Sequence, residues 1–209
     1  MSGIGPDILE VINELGILAT ILRSPINLTE RLTYDVNGQA SNPFMREFSL
    51  AASLIYTSVI VSGDVVQFGG TSYLVGSKTP DVFEGEVVEY AAILLKCNVP
   101  ALFSLVTYGP STNQSTFVVT TGWTVRRANC YGLIYRGARS ALLNEEVSLG
   151  KETTFTLDCF VPASYGAAPQ DRLYISATEY YRVQDVEKYA YPGIHILKLV
   201  EDDRVVYTP

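Results

Sequence analysis

The stretch Ser62–Val75, SGDVVQFGGTSYLV, constrains the fold more than any other part of the chain. Two alternating runs, Val66/Phe68 and Tyr73/Val75, flank Gly69-Gly70. Alternation places successive side chains on opposite faces of a strand. Paired glycines supply the positive φ angles that a two-residue hairpin turn needs. A β-hairpin is therefore predicted, entered by a turn at Ser62-Gly63-Asp64. No helix follows the glycines, so they serve the turn and not a phosphate cradle.

The rest of the chain keeps the same rhythm. PDILEVINELG reads as one short helix: Pro6 suits the first helical position, and Asp7 suits the positive N-terminal end. Ile8, Val11, Ile12 and Leu15 recur at helical spacing as one apolar face, and Gly16 stops the helix. Ile17–Arg23 reads as a strand, followed by a polar excursion, Ser24–Pro43, without periodicity. A connection of that length in a compact domain points to function or mobility. Strands are predicted at Arg46–Tyr56 and at Glu86–Cys97, whose near-continuous apolar run implies burial on both faces. Asn98-Val99-Pro100 marks a boundary between domains 1–98 and 99–209. Beyond it, ALFSLVTYG and STFVVTTGW flank PSTNQ as a hairpin, and Cys130–Arg136 and Phe155–Val161 read as strands. Between these two strands lies a polar stretch with helical content, Ala138–Glu146. QDRLYISATEYYRV, Gln170–Val183, reads as a second hairpin, and Ile194–Val200 as a closing strand. The expected fold is mainly β: tandem small barrel or sandwich domains with a short N-terminal helix.

The second hairpin echoes the first. Asp64 and Asp171 share an offset of 107, as do Phe48-Ser49-Leu50 and Phe155-Thr156-Leu157. Val66 falls on Leu173 and Phe68 on Ile175; with one extra residue, Tyr73 and Val75 fall on Tyr181 and Val183. Ala92–Lys96 resembles Ile194–Lys198, and Leu22-Arg23 resembles Tyr135-Arg136. Two explanations stand: an internal duplication, or the coincidental rhythm of any all-β chain.

Composition removes several function classes. The 209 residues are 47 % hydrophobic and 18 % charged, enough to bury a sizeable core. The net charge of −7 is a poor match for wrapping nucleic acid, whose binding rests on Lys and Arg. No apolar run approaches the ~18 residues of a membrane helix, and no secretory leader is predicted after Met1. Without secretory context the sequons at Asn27 and Asn113 carry no meaning, and Cys97, Cys130 and Cys159 read as free thiols in a reducing compartment. The single histidine, His195, cannot supply a triad or a multi-histidine metal site. The carboxylates Glu84/Glu86/Glu89, Glu145-Glu146 and Glu201-Asp202-Asp203 read as solvated faces rather than acid–base pairs. Arg126-Arg127 with Arg136/Arg139 reads as structural salt bridging, and Trp123 as a core or interface anchor. The 14 tyrosines fit half-buried β positions or subunit interfaces.

The strand MREFSL, the turn and hairpin GDVVQFGGTSYLV and the closing strand VVEYAAILLKC together resemble head–tail connector proteins of tailed bacteriophages. The likeness is to the stopper, or head-completion, protein of the neck, and it covers residues 6–98 best. It implies a structural virion protein with no enzyme activity and no cofactor. It implies a homo-oligomeric ring, a hexamer rather than a dodecamer, assembled in the host cytoplasm. Its neighbours would be a portal or adaptor protein on the head side and a tail-terminator or tail-tube protein on the tail side. Genomic DNA would pass through the channel without specific binding, and no membrane is involved. By order of elements, the excursion Ser24–Pro43 would be the channel loop. That makes Pro25, Asn27, Leu28, Tyr34, Asn37, Asn42, Pro43 and Phe44 the channel-loop or interface candidates. This chain is about twice the length of a simple stopper. An adaptor or terminator role in the same neck is an alternative, as is a ligand- or carbohydrate-binding β-sandwich; a carboxylate-dependent hydrolase is the remaining class.

Overall fold

The computed structural model describes residues 4–23, 25–35, 49–98, 102–112, 119–136 and 157–204. The chain is mainly β, with one short helix, a closed six-stranded barrel and a second, curled seven-stranded half-barrel sheet. It divides into two compact units. The first holds Met1–Asn98 together with Pro162–Ser164 and Tyr189–Ile194; the second holds Val99–Val161, Tyr165–Lys188 and His195–Pro209. Two short segments beyond residue 98 thus join the first unit, which a cut by sequence position does not provide.

In the first unit, helix α1 (Ile4–Leu15) ends as expected at Gly16, whose N–H donates to the Ile12 carbonyl. Its apolar face is only partly used: Ile12 is buried, while Val11 and Leu15 are exposed. The barrel runs β1 (Ile17–Ile21), β2 (Leu28–Asp35), β3 (Ser49–Ile55), β6 (Glu86–Lys96), β5 (Thr71–Phe83) and β4 (Val65–Phe68), and closes by pairing β4 with β1. Inward positions fill it: Ala19, Ile21, Leu32, Ala52, Leu54, Val66, Val75 and Leu94. A small barrel closes around side chains rather than a pore, and each fully buried Leu or Ile contributes about 1.5–3 kcal/mol.

Two expectations are corrected here. The polar excursion is not one loop, because Leu28–Asp35 is strand β2, paired with β1 and β3. Its alternation is hidden because one inward position is the buried carboxylate Glu30 and the next is Leu32. Strand β6 is not buried on both faces: Val88, Ala92 and Leu94 are buried, while Val87, Ala91 and Ile93 face out.

The opening hairpin forms as predicted, with Gly69 and Gly70 at positive φ between β4 and β5. Strand β5 runs on past a register shift at Gly76, a bulge position. Pro80 fits this strand because β4 has already ended at Val65↔Leu74, so β5 is an edge there.

The second unit is a sheet in the order β8 (Val119–Cys130), β7 (Phe103–Thr112), β11 (Arg172–Ser176), β12 (Glu179–Tyr191), β13 (Ile194–Glu201), β10 (Leu157–Pro162) and β9 (Leu133–Arg136). Its core gathers Phe103, Leu105, Cys130, Cys159, Val161, Leu173, Val183 and Leu197. The predicted strand Cys130–Arg136 is split: Cys130 ends β8 and Leu133 begins β9. At the break, Gly132 lies too close to the Phe160 carbonyl and the Phe103 ring to admit a Cβ freely. The helical content read at Ala138–Glu146 lies outside the described residues.

The strand order repeats. Opened between β1 and β2, the barrel reads β1-β4-β5-β6-β3-β2; the sheet reads β7-β11-β12-β13-β10-β9, with β8 added beyond β7. The registers agree: Val66 pairs with Tyr73 as Leu173 pairs with Tyr181. Two of the sequence matches do not hold. The turns between Phe83/Glu86 and between Tyr191/Ile194 share an offset of 108 (191 − 83 = 194 − 86 = 108), so Ile194 corresponds to Glu86 and not to Ala92. Tyr135-Arg136 lies on β9, which takes the place of β2, so it does not correspond to Leu22-Arg23.

Candidate functional site

One end of the barrel is held by four charged side chains from four segments. Asp64 closes its own turn: its N–H donates to the Val61 carbonyl at 3.1 Å, and its Oδ2 accepts from the Val61 N–H at 2.7 Å. Arg23, just after β1, grips the same carboxylate with two hydrogen bonds, Nε to Oδ1 at 2.9 Å and Nη2 to Oδ2 at 2.6 Å. Nη2 also donates to the Val59 carbonyl at 2.8 Å. From β2, Glu30 Oε2 accepts from the Val59 N–H at 3.0 Å. From β5, Lys78 Nζ donates to the carbonyls of Ser58 and Ile60 at 2.9 and 2.8 Å and lies 4.0 Å from the centre of the Tyr90 ring. Burial pushes the Lys78 ammonium pKa down, against the pull of Glu30 and Asp64. The loop Ser58–Asp64 is therefore fixed from several sides, and bidentate charge-assisted bonds of this kind are among the stronger ones. Exposed on the fixed frame are Val59 and Val61, and on the connection from β1 to β2, Ile26 and Leu28.

The structure separates the predicted candidates. Pro25, Asn27 and Leu28 are exposed at this braced end. Tyr34 sits six residues along β2, about 20 Å away at the rise of a strand. There its ring meets Phe68 at 5.4 Å, and Phe68 stacks on Tyr73 at 4.6 Å, an aromatic lining for the opposite end. Burial pushes the Tyr73 hydroxyl pKa up. Next to Tyr34 is an open groove of about 420 Å³ across β2, β3, β6 and β5, walled by small side chains including Ala51, Ser53, Ser77 and Ala91. Asn37, Asn42, Pro43 and Phe44 lie outside the described residues.

The second unit repeats the brace. Asp171 N–H donates to the Ala168 carbonyl at 3.1 Å, and Asp171 Oδ2 accepts from the Ala168 N–H at 2.8 Å. Arg126 supplies the cation, 2.9 Å from Nε to Oδ2. Beside it lies a cluster that the sequence reading missed. Arg172 is fully buried, with its guanidinium 4.0 Å from the Trp123 ring and 4.6 Å from the Tyr180 ring. Its Nε donates to Asp202 Oδ2 at 2.6 Å, and Arg204 bonds the same carboxylate. Burial alone would raise the Asp202 pKa; hydrogen bonds from Arg204 and Arg172 outweigh it and hold the carboxyl well below the usual range. Asp202 is therefore not part of a solvated face, as the sequence implied, but the buried centre of a clasp. The sequence signal was weak: a lone Arg in an alternating strand and an Asp in an acidic run.

Groups suited to catalysis are not gathered at either brace. Among the described residues, no three His, Cys, Asp or Glu side chains are placed to hold a metal. Burial pushes the Cys97 and Cys130 thiols up to about 12, so thiolate is scarce at neutral pH. What the molecule presents is surface: braced turns, a ribbon of β7 and β8 carrying exposed Tyr108, Val119 and Val125, and an exposed tip on β5 and β6. The fold and this surface define a two-unit β protein organised for contact with other macromolecules. Comparison with family models, curated proteins and solved structures found no match.

Proposed function

We propose that the chain is a structural protein of the phage neck. It forms a homo-oligomeric ring between the portal or adaptor and the tail, closes the DNA-filled head and offers a surface for tail docking. The observation that carries this reading is the braced barrel end. There Ile26 is 70 % exposed and Val61 51 % exposed, on loops pinned by Arg23, Asp64, Glu30 and Lys78. Exposed apolar side chains on a rigid frame suit an interface, because little ordering remains for binding to impose. The net charge of −7 fits a channel wall past which DNA slides without sticking. The resemblance of Phe44–Asn98 to stopper proteins supports the same placement.

Negative-stain imaging of the purified protein with the portal complex of its phage tests the reading. A ring seated on the portal is expected. A monomer that ignores the portal and binds a glycan array would overturn it in favour of a carbohydrate-binding module. The channel-loop role needs a narrower test than removal of the whole excursion, since β2 is a barrel wall. Deletion of residues 37–42 should lower DNA retention in tailless heads; unchanged retention removes that role.

A further inference from the structure

The tip of the β5–β6 hairpin is unlike the rest of the barrel. Beyond the Ile55↔Glu89 pair, β3 no longer accompanies β6, and β4 left β5 at Leu74. Asp81–Phe83 and Glu86–Glu89 therefore continue as a two-stranded ribbon, closed by Glu84-Gly85 at positive φ. Its apolar side chains stay in solvent: Val82 is 54 %, Phe83 49 % and Val87 37 % exposed. Across the twelve positions Thr79–Tyr90 there are four carboxylates, Asp81, Glu84, Glu86 and Glu89, and no basic residue.

The internal repeat shows what this element does when it is occupied. By the offset of 108, the turn of β12 and β13 at Gly193 is its counterpart. That turn is engaged within the first unit: the Gly193 carbonyl accepts from the Ala163 N–H at 2.8 Å, and its backbone lies against Ser62 and Gly63. The approach is so close that a Cβ on Gly63 would overlap the Gly193 carbonyl. At Gly85, by contrast, a Cβ would meet nothing within 4 Å.

A second copy of the chain does not offer the matching seat. The turn equivalent to Ser62-Gly63 is Pro169-Gln170, and the Gln170 Cβ fills the space that Gly63 leaves open. The acidic ribbon would also meet a chain of net charge −7. Charge and shape together select a different occupant. We propose that the β5–β6 ribbon is a docking finger for a partner protein that presents an apolar pocket ringed by Lys and Arg. Val82, Phe83 and Val87 enter the pocket, and Asp81, Glu84 and Glu86 meet its rim. On the neck reading, on which the first probe rests, that partner is the portal–adaptor assembly.

Binding to the purified portal–adaptor complex is measured at about 50 and about 300 mM NaCl, where charge pairs are screened to different extents. Wild-type affinity should fall about tenfold or more with added salt. Phe83→Ala should cost about tenfold at both salts, as expected of an interface anchor. The pair Glu84→Lys and Glu86→Lys should weaken low-salt binding and abolish its salt dependence. Thermal melts at the wild-type midpoint establish that these exposed variants are folded. Variants that bind like wild type overturn the finger while leaving the neck reading intact. If the wild type binds no portal–adaptor complex, the neck reading fails, and photo-crosslinking from position 83 in phage-producing cells decides the finger alone. An adduct on a Lys/Arg-rich peptide of another protein supports it; an adduct only to this chain, or none, overturns it.

Discussion

Replacing Arg172 by Met probes the buried clasp of the second unit, and the structure sets the size of the effect. Arg172 and Asp202 are both fully buried at the side chain, joined at 2.6 Å. Breaking a buried pair from one side typically costs 3–5 kcal/mol, because the remaining charge is left uncompensated. Two features shift that figure. Arg204 keeps two hydrogen bonds to Asp202, at 2.8 and 2.7 Å, so the carboxylate is not abandoned. Against this, the Trp123 and Tyr180 rings both lose their cation, at about 0.5–2 kcal/mol for each contact. Methionine fills most of the volume and limits the cavity. A loss of about 3 kcal/mol is expected, or roughly 10 °C or more in the melting temperature of a unit of this size. Trp123 is the only tryptophan, so its emission reports this cluster directly during chemical denaturation. The pH profile supplies a second signature. The Asp202 pKa is depressed in the folded state, so its stabilisation is present above the ordinary carboxylate range and is lost as pH falls through the lower folded value. With Arg172 gone the depression shrinks, and variant and wild type should converge toward strongly acid pH. An unchanged denaturation midpoint, or a deficit independent of acid pH, would refute the assignment of Arg172 as the clasp.

Two further outcomes follow from local geometry. Gly63→Ala should destabilise far more than Gly69→Ala, although both sit at positive φ: Gly69 has open space and should cost only about 1 kcal/mol, whereas Gly63 has the Gly193 backbone against it. Equal losses in urea titrations would show that the close approach is not stabilising. Cys97 and Cys130, with thiols held up to about 12, should react with a disulfide reagent at pH 8 far more slowly in the native protein than in denaturant. Native rates matching the denatured ones would contradict their burial.

Legibility in the sequence followed the range of the interaction. The β4–β5 hairpin was legible because alternation, Gly69-Gly70 and Asp64 lie within a few residues of one another. Strand β2 was not, because Glu30 stands at an inward position where the pattern calls for an apolar residue. Its partner is the Val59 N–H, 29 positions away. The clasp joins Arg172 to Asp202 across 30 positions, and Trp123 comes from another hairpin, so no local pattern marks it. The closing strands were laid over one another by composition, apolar residues ending in Lys, whereas the structure aligns them by their turns. The candidates on Ser24–Pro43 were grouped by sequence proximity, and β2 carries Leu28 and Tyr34 to opposite ends of the barrel.

The two braces show which part of a repeated unit resists change. The acceptor is the same in both units: an aspartate that closes its own turn and whose carbonyl accepts from the next strand, at Val75 or Val183, at 2.8 Å. Backbone geometry dictates that position, since a short carboxylate must reach the N–H three residues back. The arginine is free to come from elsewhere. By register, Ile21 opposite Val66 corresponds to Leu105 opposite Leu173, so the place of Arg23 falls on Thr107, which cannot supply a cation. The second unit instead uses Arg126 of β8, and the pairing shows how. Leu105 pairs with Arg127 and Val106 with Val125, so Arg126 is the extra residue of a bulge, turned out toward Asp171. A bulge re-aims one side chain without moving the strand. The repeat therefore persists as topology and as a carboxylate that must be answered, and the extra strand β8 provides the answer. This is why identity between the halves is sparse while the register through both hairpins agrees.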